Sequence, residues 1–482
     1  MTTTKKDKFY ITTAIAYVNG APHIGHALEF IQADVLARYY RLLGIPTFFL
    51  TGTDEHGQKN YTGAQAQGIK PKEFVDRNAK AFEKLDKELG ISYDRFIRTT
   101  DKEIHWPGVE KFWKALVAAG DIYKGKYEGL YCVGHEAFLT ESDLVDGKCP
   151  DHDAPPQKVS EENYLFRYSK YVPQVIAAIE SGKLQVIPGF RKNEILNLLR
   201  SNPGDVSFSR QKDKLPWGIP VPGDPDHVIY VWGDALLNYV TGVGYGRDEK
   251  EFSRWWPADI HVIGKDILRF HAGVWPAMLL SAQLELPKVV FVHGFVNTGG
   301  KKLGKSTGNV VDPFALAEKY GADALRYFLL RESPSTQDSE FTIPKFEARY
   351  NADLASGLGN LVSRVATLAE KAGLTAPAPK KVTLDPKFKI AVEDYRFNDA
   401  LGLIWAKIAA ADKEINESKP WELVDQNPDQ AKVVLTDLTH QIRVIAAELS
   451  PFLPETSAEI TKLFSADRIK APKPLFPRLE KV

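Results

Sequence analysis

The sequence predicts an α/β protein: a parallel-sheet core, split by an inserted knuckle domain and followed by an α-helical bundle. Three observations predict it. Strand and helix patterns alternate over residues 1–119 and again over 226–322, the signature of a parallel sheet with crossover helices. Between them, over 120–225, predicted strands are short, Gly, Pro and charged residues are frequent, and both cysteines of the chain occur. After a connecting segment, 323–349, residues 350–482 carry apolar positions at helical spacing. A length of 482 residues and a hydrophobic fraction of 44% suit a core-forming chain of two to four domains.

The first strand is the β-branched and aromatic run that starts at Phe9, ended by the Asn19-Gly20 turn. A helix from Gly25 to about Leu43 follows, with Ala27, Leu28, Ile31, Val35 and Leu36 at helical spacing and Gly44 as its stop. His23, Gly25 and His26 therefore fall where a strand hands over to a helix N-terminus. Unpaired backbone N–H groups and the positive dipole end attract phosphate there, and glycine permits close approach. Pro46 to Gly52 is a second buried strand, ending in Thr53-Asp54-Glu55-His56-Gly57, and Lys70 to Leu89 is a charged amphipathic helix. Ligands gather at the carboxyl ends of parallel strands, so His23, His26 and Asp54 are candidate site residues.

In the insertion, Cys132-Val133-Gly134-His135 is followed after thirteen residues by Cys149-Pro150-Asp151-His152. Two Cys-x2-His knuckles of the same spacing suit tetrahedral Zn²⁺ held by Cys132, His135, Cys149 and His152. Four protein ligands leave no open position, so the zinc would be structural. The sheet pattern resumes near His227: Val228 to Trp232 is expected as a buried strand, with a helix through Leu236, Leu237 and Tyr239. Asp259 to Asp266 is a strand with a sharp turn, leading to a helix through His271. Val289 to Gly294 is a further strand, and Gly299-Gly300 predicts mobility ahead of Lys302-Leu303-Gly304-Lys305-Ser306. The expected helices of the last segment are Tyr350 to Ala372, Phe388 to Glu417, Asp429 to Leu449 and Pro454 to Phe464.

Bulk properties exclude several classes. A formal net charge of +0 gives no global attraction to a polyanion, so any nucleic-acid surface has to be a local patch. The 2 cysteines are too few for a disulfide scaffold. No run of about 18 apolar residues is present, so no membrane span is expected. Met1 to Lys8 has neither the apolar core of a secretory signal nor the length of a transit peptide, and a reducing cytoplasm is the expected setting.

His23-Ile24-Gly25-His26 and Lys302-Leu303-Gly304-Lys305-Ser306 together resemble the HIGH and KMSKS signatures of class I aminoacyl-tRNA synthetases. The first match is complete. In the second, Leu303 stands for Met and Gly304 for the first Ser, while both lysines, Ser306 and the following Gly308-Asn309-Val310-Val311-Asp312-Pro313 are kept. Over nearly its whole length the chain is similar to the methionyl-tRNA synthetase family. The resemblance implies a Rossmann-type catalytic domain in two halves, a connective insertion with one zinc, a stem-contact segment and an anticodon-binding helical domain. It implies activation of L-methionine by ATP with Mg²⁺, then transfer to tRNA(Met).

By the same resemblance, His23, His26, Lys302 and Lys305 would be catalytic. Gly25, Asp266, Ser306 and Arg210 would join them in binding ATP, with Asp266 at the ribose and Arg210 helping to close the lysine loop. The methionine pocket would be Ala14, Ile15, Tyr17, Trp232, Ala235, Leu236, Tyr239, Ile267 and His271, with Asp54 on the α-ammonium. Leu236 stands where many relatives have Pro. Asn360, Arg364 and Trp421 would read the anticodon, by edge hydrogen bonds and stacking on single-stranded bases. The chain ends soon after the bundle, so a monomer is expected. The rivals are weaker. Leucyl, isoleucyl and valyl enzymes carry editing insertions too large for this length, and a cysteinyl enzyme would place zinc in the amino-acid pocket. A nucleotidylyl transferase would not need the helical domain. A non-catalytic RNA-binding relative is disfavoured because both histidines and both lysines are present.

Overall fold

The computed structural model describes residues 7–133, 137–139, 144–150, 154–298, 301–302, 311–332, 334–378, 380 and 382–480. They form two compact units, one of residues 1–22, 45–84 and 93–293, the other of 23–44, 85–92 and 294–482. Among the described residues no helix is long and apolar enough to cross a membrane.

The first unit is built on a seven-stranded sheet. Its path runs Ala16–Tyr17, Thr47–Asp54, Phe9–Thr13, Ile260–Gly264, Val289–His293, Gln185–Ile187, and Arg95–Arg98 also pairs with Thr47–Asp54. Every pairing is parallel. Phe9–Thr13 and Ile260–Gly264 are buried at every residue, which is why they read as near-continuous apolar runs. Gly52 is required by close approach: a Cβ there would collide with the Ile97 carbonyl of the neighbouring strand.

Two expectations change here. The stretch expected as one insertion contributes Gln185–Ile187 to the parallel sheet, where it pairs with Val289–His293. The strands on either side of that segment, Ile122–Cys132, Ala137–Leu139, Gln157–Phe166 and Val206–Ser207, form a separate antiparallel sheet. The expected strand Val228 to Trp232 is also different. Val228 and Ile229 close Asp224–Ile229, a member of a three-stranded antiparallel sheet, and a helix begins at Val231. A five-residue apolar run does not distinguish strand from helix, so periodicity could not place Trp232.

The second unit holds the helix Ile24–Leu42 and the C-terminal helices. The segment expected as one helix from Tyr350 opens as a π-helix over Tyr350–Gly359 and becomes α-helical over Asn360–Lys371. The helix expected from Phe388 to Glu417 is two, Pro386–Glu393 and Phe397–Ser418, broken where Tyr395 adopts φ 60°. No glycine marks that left-handed turn, so the sequence carries no stop signal there.

A buried ion pair organises this unit. Arg326 and Asp34 are both fully buried and 2.7 Å apart. The remaining guanidinium donors reach the carbonyls of Phe452 at 2.8 Å, Leu89 at 3.1 Å and Pro451 at 3.0 Å. Asp34 also accepts from Arg38 Nε at 2.7 Å, and from the Ser92 amide and hydroxyl at 2.7 and 2.6 Å. Burial alone would raise the Asp34 carboxyl. The two guanidiniums and Ser92 more than offset it and hold the group below the usual carboxylate range.

Arg326→Met is expected to destabilise the protein by about 3–5 kcal/mol, since it takes one of two guanidiniums from a buried carboxylate and leaves three carbonyls without that donor. The shift of the urea unfolding midpoint measures this. Because the folded-state value of Asp34 is depressed, the pair's contribution is complete above the ordinary carboxylate range. It is lost as pH falls through the lower folded value, so the difference between wild type and variant shrinks in acid.

Candidate active site

In the first unit, the end of the strand Thr47–Asp54 is held on all sides. Tyr17 pairs in register with Asp54, and the Asp54 carbonyl accepts from the Val18 amide and Asn60 Nδ2, each at 3.3 Å. Asp54 is 6% exposed. The next residue, Glu55, is buried; it accepts from Arg98 Nε at 2.5 Å, Arg98 Nη2 at 2.9 Å and the Thr53 hydroxyl at 2.7 Å, and also from Thr100. His56 Nδ1 donates to Asp234 at 2.6 Å. Gly57 has φ 93°, and a side chain there would strike the Tyr17 hydroxyl, so only glycine fits.

Aromatic residues of the same unit cluster around the short helix Val231–Ala235. Trp232 stacks on Phe270 at 3.8 Å and 6° and stands edge-on to His271 at 6.2 Å and 86°. His271 Nδ1 donates to the Ile267 carbonyl at 3.0 Å, which leaves Nε2 to accept from the Tyr239 hydroxyl at 2.7 Å. Burial pushes the His271 imidazole down to about 4, so it is neutral at physiological pH. Beneath it, His261 lies between Thr12 Oγ1 at 2.8 Å and Trp275 Nε1 at 3.3 Å, and burial keeps it neutral too. Ala235, Leu236 and Tyr239 are buried; Ala14, Ile15, Tyr17, Trp232 and Ile267 are partly buried against the same core. The structure thus gathers the expected amino-acid-binding side chains Trp232, Tyr239, Ile267 and His271 in one place. Neutral aromatics with no fixed charge suit an apolar side chain and a polarisable sulfur.

Asp266 lies exposed in the 3-10 turn Lys265–Ile267, just beyond the carboxyl end of Ile260–Gly264. Arg210 sits on the strand Ser209–Gln211, 6% exposed. It pairs with Glu161 at 3.2 Å and lies over the Tyr131 ring at 4.8 Å.

The signature histidines cap their own helix in the second unit. The Gly25 amide donates to His23 Nδ1 and the His23 amide donates to His26 Nδ1, each at 3.1 Å. The two rings stack at 3.9 Å. An imidazole that accepts at Nδ1 carries its proton on Nε2, so both rings are neutral Nε2–H donors. This is the reciprocal geometry of a capping box, made with imidazoles in place of hydroxyl and carboxylate.

Lys302 lies in the two-residue strand Lys301–Lys302, antiparallel to Val296–Thr298. Its side chain, and all of Lys305, Ser306, His135 and His152, are outside the described residues. Cys132 and Cys149 are both buried, form a cluster of their own flanked by Leu144, and are not joined in a disulfide. Among the described residues no group of three or more His, Cys, Asp and Glu is placed to hold a metal. Two adjacent buried thiols at the ends of the two knuckles are nonetheless half of the expected donor set.

In the helical domain, Arg364 lies over the Trp421 ring at 5.8 Å and bonds Asn416 Oδ1 at 3.1 Å. Trp421 is 38% exposed, unusual for an indole in a bundle, and Asn360 is exposed at the start of the helix that carries Arg364.

A parallel sheet with such a capped His-Ile-Gly-His helix start defines a class I aminoacyl-tRNA synthetase, and the model of tRNA synthetases class I (M) matches residues 9–161 and 151–366. The methionine–tRNA ligase of Brucella melitensis is 42% identical over 508 residues, 98% of this chain and 98% of its own. That of Clostridium acetobutylicum is 44% identical over 473 residues, 95% of this chain and 73% of its own. The Mycobacterium tuberculosis methionyl-tRNA synthetase in complex with methionyl-adenylate matches with a TM-score of 0.90 and 38% identity, over 98% of this chain and 100% of that one. The chain belongs to the methionyl-tRNA synthetase family.

Proposed function

We propose that the chain joins L-methionine to tRNA(Met) in two steps, with the site residues expected from the sequence. In the first step the methionine carboxylate attacks the α-phosphorus of ATP and pyrophosphate leaves, giving methionyl-adenylate. In the second a hydroxyl of the terminal tRNA ribose attacks the acyl carbon and AMP leaves. Neither step needs a covalent enzyme intermediate, so catalysis is positioning and stabilisation of charge on phosphoryl oxygens. The observation that carries the reading is the neutral aromatic cluster of Trp232, Tyr239 and His271 in a chain of this family.

Asp54 takes the α-ammonium, and the aromatic cluster takes the thioether side chain. His23 and His26 donate from Nε2 to phosphate oxygens, and Gly25 lets the nucleotide approach the helix start. Lys302 and Lys305 neutralise the departing pyrophosphate of an ATP that enters as its Mg²⁺ complex, and Ser306 hydrogen-bonds to it. Asp266 binds the ribose, and Arg210 assists the lysine loop. Asn360, Arg364 and Trp421 read the anticodon. The protein acts as a cytoplasmic monomer.

Zn²⁺ fits the knuckle, since thiolates with imidazoles are its usual donors. Cys132, His135, Cys149 and His152 would hold it, and its part is to tie the two turns together. Elemental analysis of the purified protein is expected to give one zinc per chain, and Cys149→Ser to give almost none. A wild-type value near zero would refute the site.

Pyrophosphate exchange with ATP, run with each standard amino acid in turn, tests the substrate. Exchange with methionine alone is expected. Exchange with another amino acid would keep the reaction and overturn the pocket. No exchange from folded, zinc-loaded protein would favour a non-catalytic RNA-binding role.

A further inference from the structure

Besides the residues assigned to substrate, the first unit holds a fully enclosed cluster of ionisable side chains, His56–Asp234–His105. One Asp234 oxygen accepts from His56 Nδ1 at 2.6 Å and the other from His105 Nε2 at 2.7 Å. Asp234 and His105 are 0% exposed and His56 is 3%. His105 Nδ1 meets Thr241 Oγ1 at 2.7 Å, and Trp106 and Trp217 close over His56 with ring centroids at 6.3 and 5.3 Å. Burial alone would raise the Asp234 carboxyl, but the two imidazoles more than offset it and keep it below the usual range. An ionised acceptor thus serves two ring N–H donors.

Three elements meet at this carboxylate: the turn after Asp54, the helix Val231–Ala235 and the start of the helix Trp106–Ala118. His56 is two residues beyond Asp54, and Asp234 is two residues beyond Trp232. Glu55, between Asp54 and His56, is anchored elsewhere, on Arg98 and Thr100. His56 therefore ties the Asp54 turn to the Trp232 helix. An apolar contact in its place would avoid the desolvation of a buried carboxylate. It would also let the turn and the helix slide, whereas the short His56–Asp234 hydrogen bond fixes their spacing and the bond from His105 holds the same carboxylate in place.

We infer that Asp234, acting through His56, is the positioning residue that sets the separation between the ammonium-binding Asp54 and the aromatic wall at Trp232. It thereby sets how tightly methionine is held. The inference rests on the methionine reading above.

The test is steady-state pyrophosphate exchange by the full chain, with methionine and ATP varied separately. Asp234→Ala is expected to raise KM for methionine roughly 10- to 100-fold, as a displacement of about 1 Å does elsewhere, with KM for ATP and kcat little changed. Asp234→Asn keeps one acceptor and the side-chain shape, and falls between. Should the Ala variant fail to fold, the pair at His56 carries the test. His56→Asn offers an amide N–H where Nδ1–H was and is expected to preserve KM for methionine, while His56→Leu raises it. A methionine KM unchanged in folded Asp234→Asn and His56→Leu overturns the inference, as does an ATP KM that rises in step. Wild-type protein that exchanges with no methionine defeats the substrate reading instead, and this inference with it.

Discussion

His26→Ala is expected to lower kcat for methionine-dependent pyrophosphate exchange by about 10²–10³-fold, the usual effect of removing one preorganised donor to a developing oxyanion. The capping geometry allows a sharper test. In His26, Nδ1 accepts the His23 amide at 3.1 Å, so the two ring nitrogens have different tasks. Asparagine places an oxygen near Nδ1 and no donor at Nε2. Glutamine places an amide N–H near Nε2 and no acceptor at Nδ1. His26→Asn should therefore keep most of the helix cap, worth about 1 kcal/mol, and lose the rate. His26→Gln should lose stability and recover part of the rate. Single-turnover adenylate formation beside thermal unfolding separates the two. Rate loss that tracks stability loss across all three variants would mean that His26 serves the helix only.

Asp54→Asn is the second large effect. A buried carboxylate that receives an ammonium contributes through charge, and removing it leaves the substrate cation without its partner at a cost of roughly 3–5 kcal/mol. That is a fall of roughly 10² to several 10³-fold in kcat/KM for methionine. KM for ATP should stay near wild type. The backbone of the turn is held independently, by the Val18 amide and Asn60 on the Asp54 carbonyl and by the Glu55 bonds, so the variant is expected to fold. A methionine KM within a few-fold of wild type would move the ammonium site elsewhere.

Much of the candidate site could be proposed without coordinates because its parts are local. His23, Gly25 and His26 lie within one helical turn, and the strand-to-helix handover that gives them meaning is visible in the same stretch. The knuckle spacing is likewise a local pattern. Asp54 could be placed at a strand end because a buried parallel strand is a continuous apolar run. Elsewhere the sequence lacks a deciding signal. Trp232 sits in a run too short to separate strand from helix, and the break at Tyr395 uses a left-handed residue that is not glycine. Gln185–Ile187 joins the parallel sheet from within the apparent insertion, and a three-residue strand has no period to detect.

The family and the parallel sheet were legible from the chain alone, as were the candidate site residues, because signature motifs and buried strands are runs of particular side chains at short fixed spacings. Tertiary structure alone decided the partners that hold them. His56, His105 and Asp234 are 178 and 129 residues apart along the chain, and each alone reads as an ordinary polar residue. Arg326 meets Asp34 across 292 residues, and neither carries a motif. The proton positions on His23 and His26 also follow from which nitrogen meets a backbone amide. Hydrogen bonds act over about 3 Å of space with no regard for distance in sequence, so only the folded chain shows which groups they join.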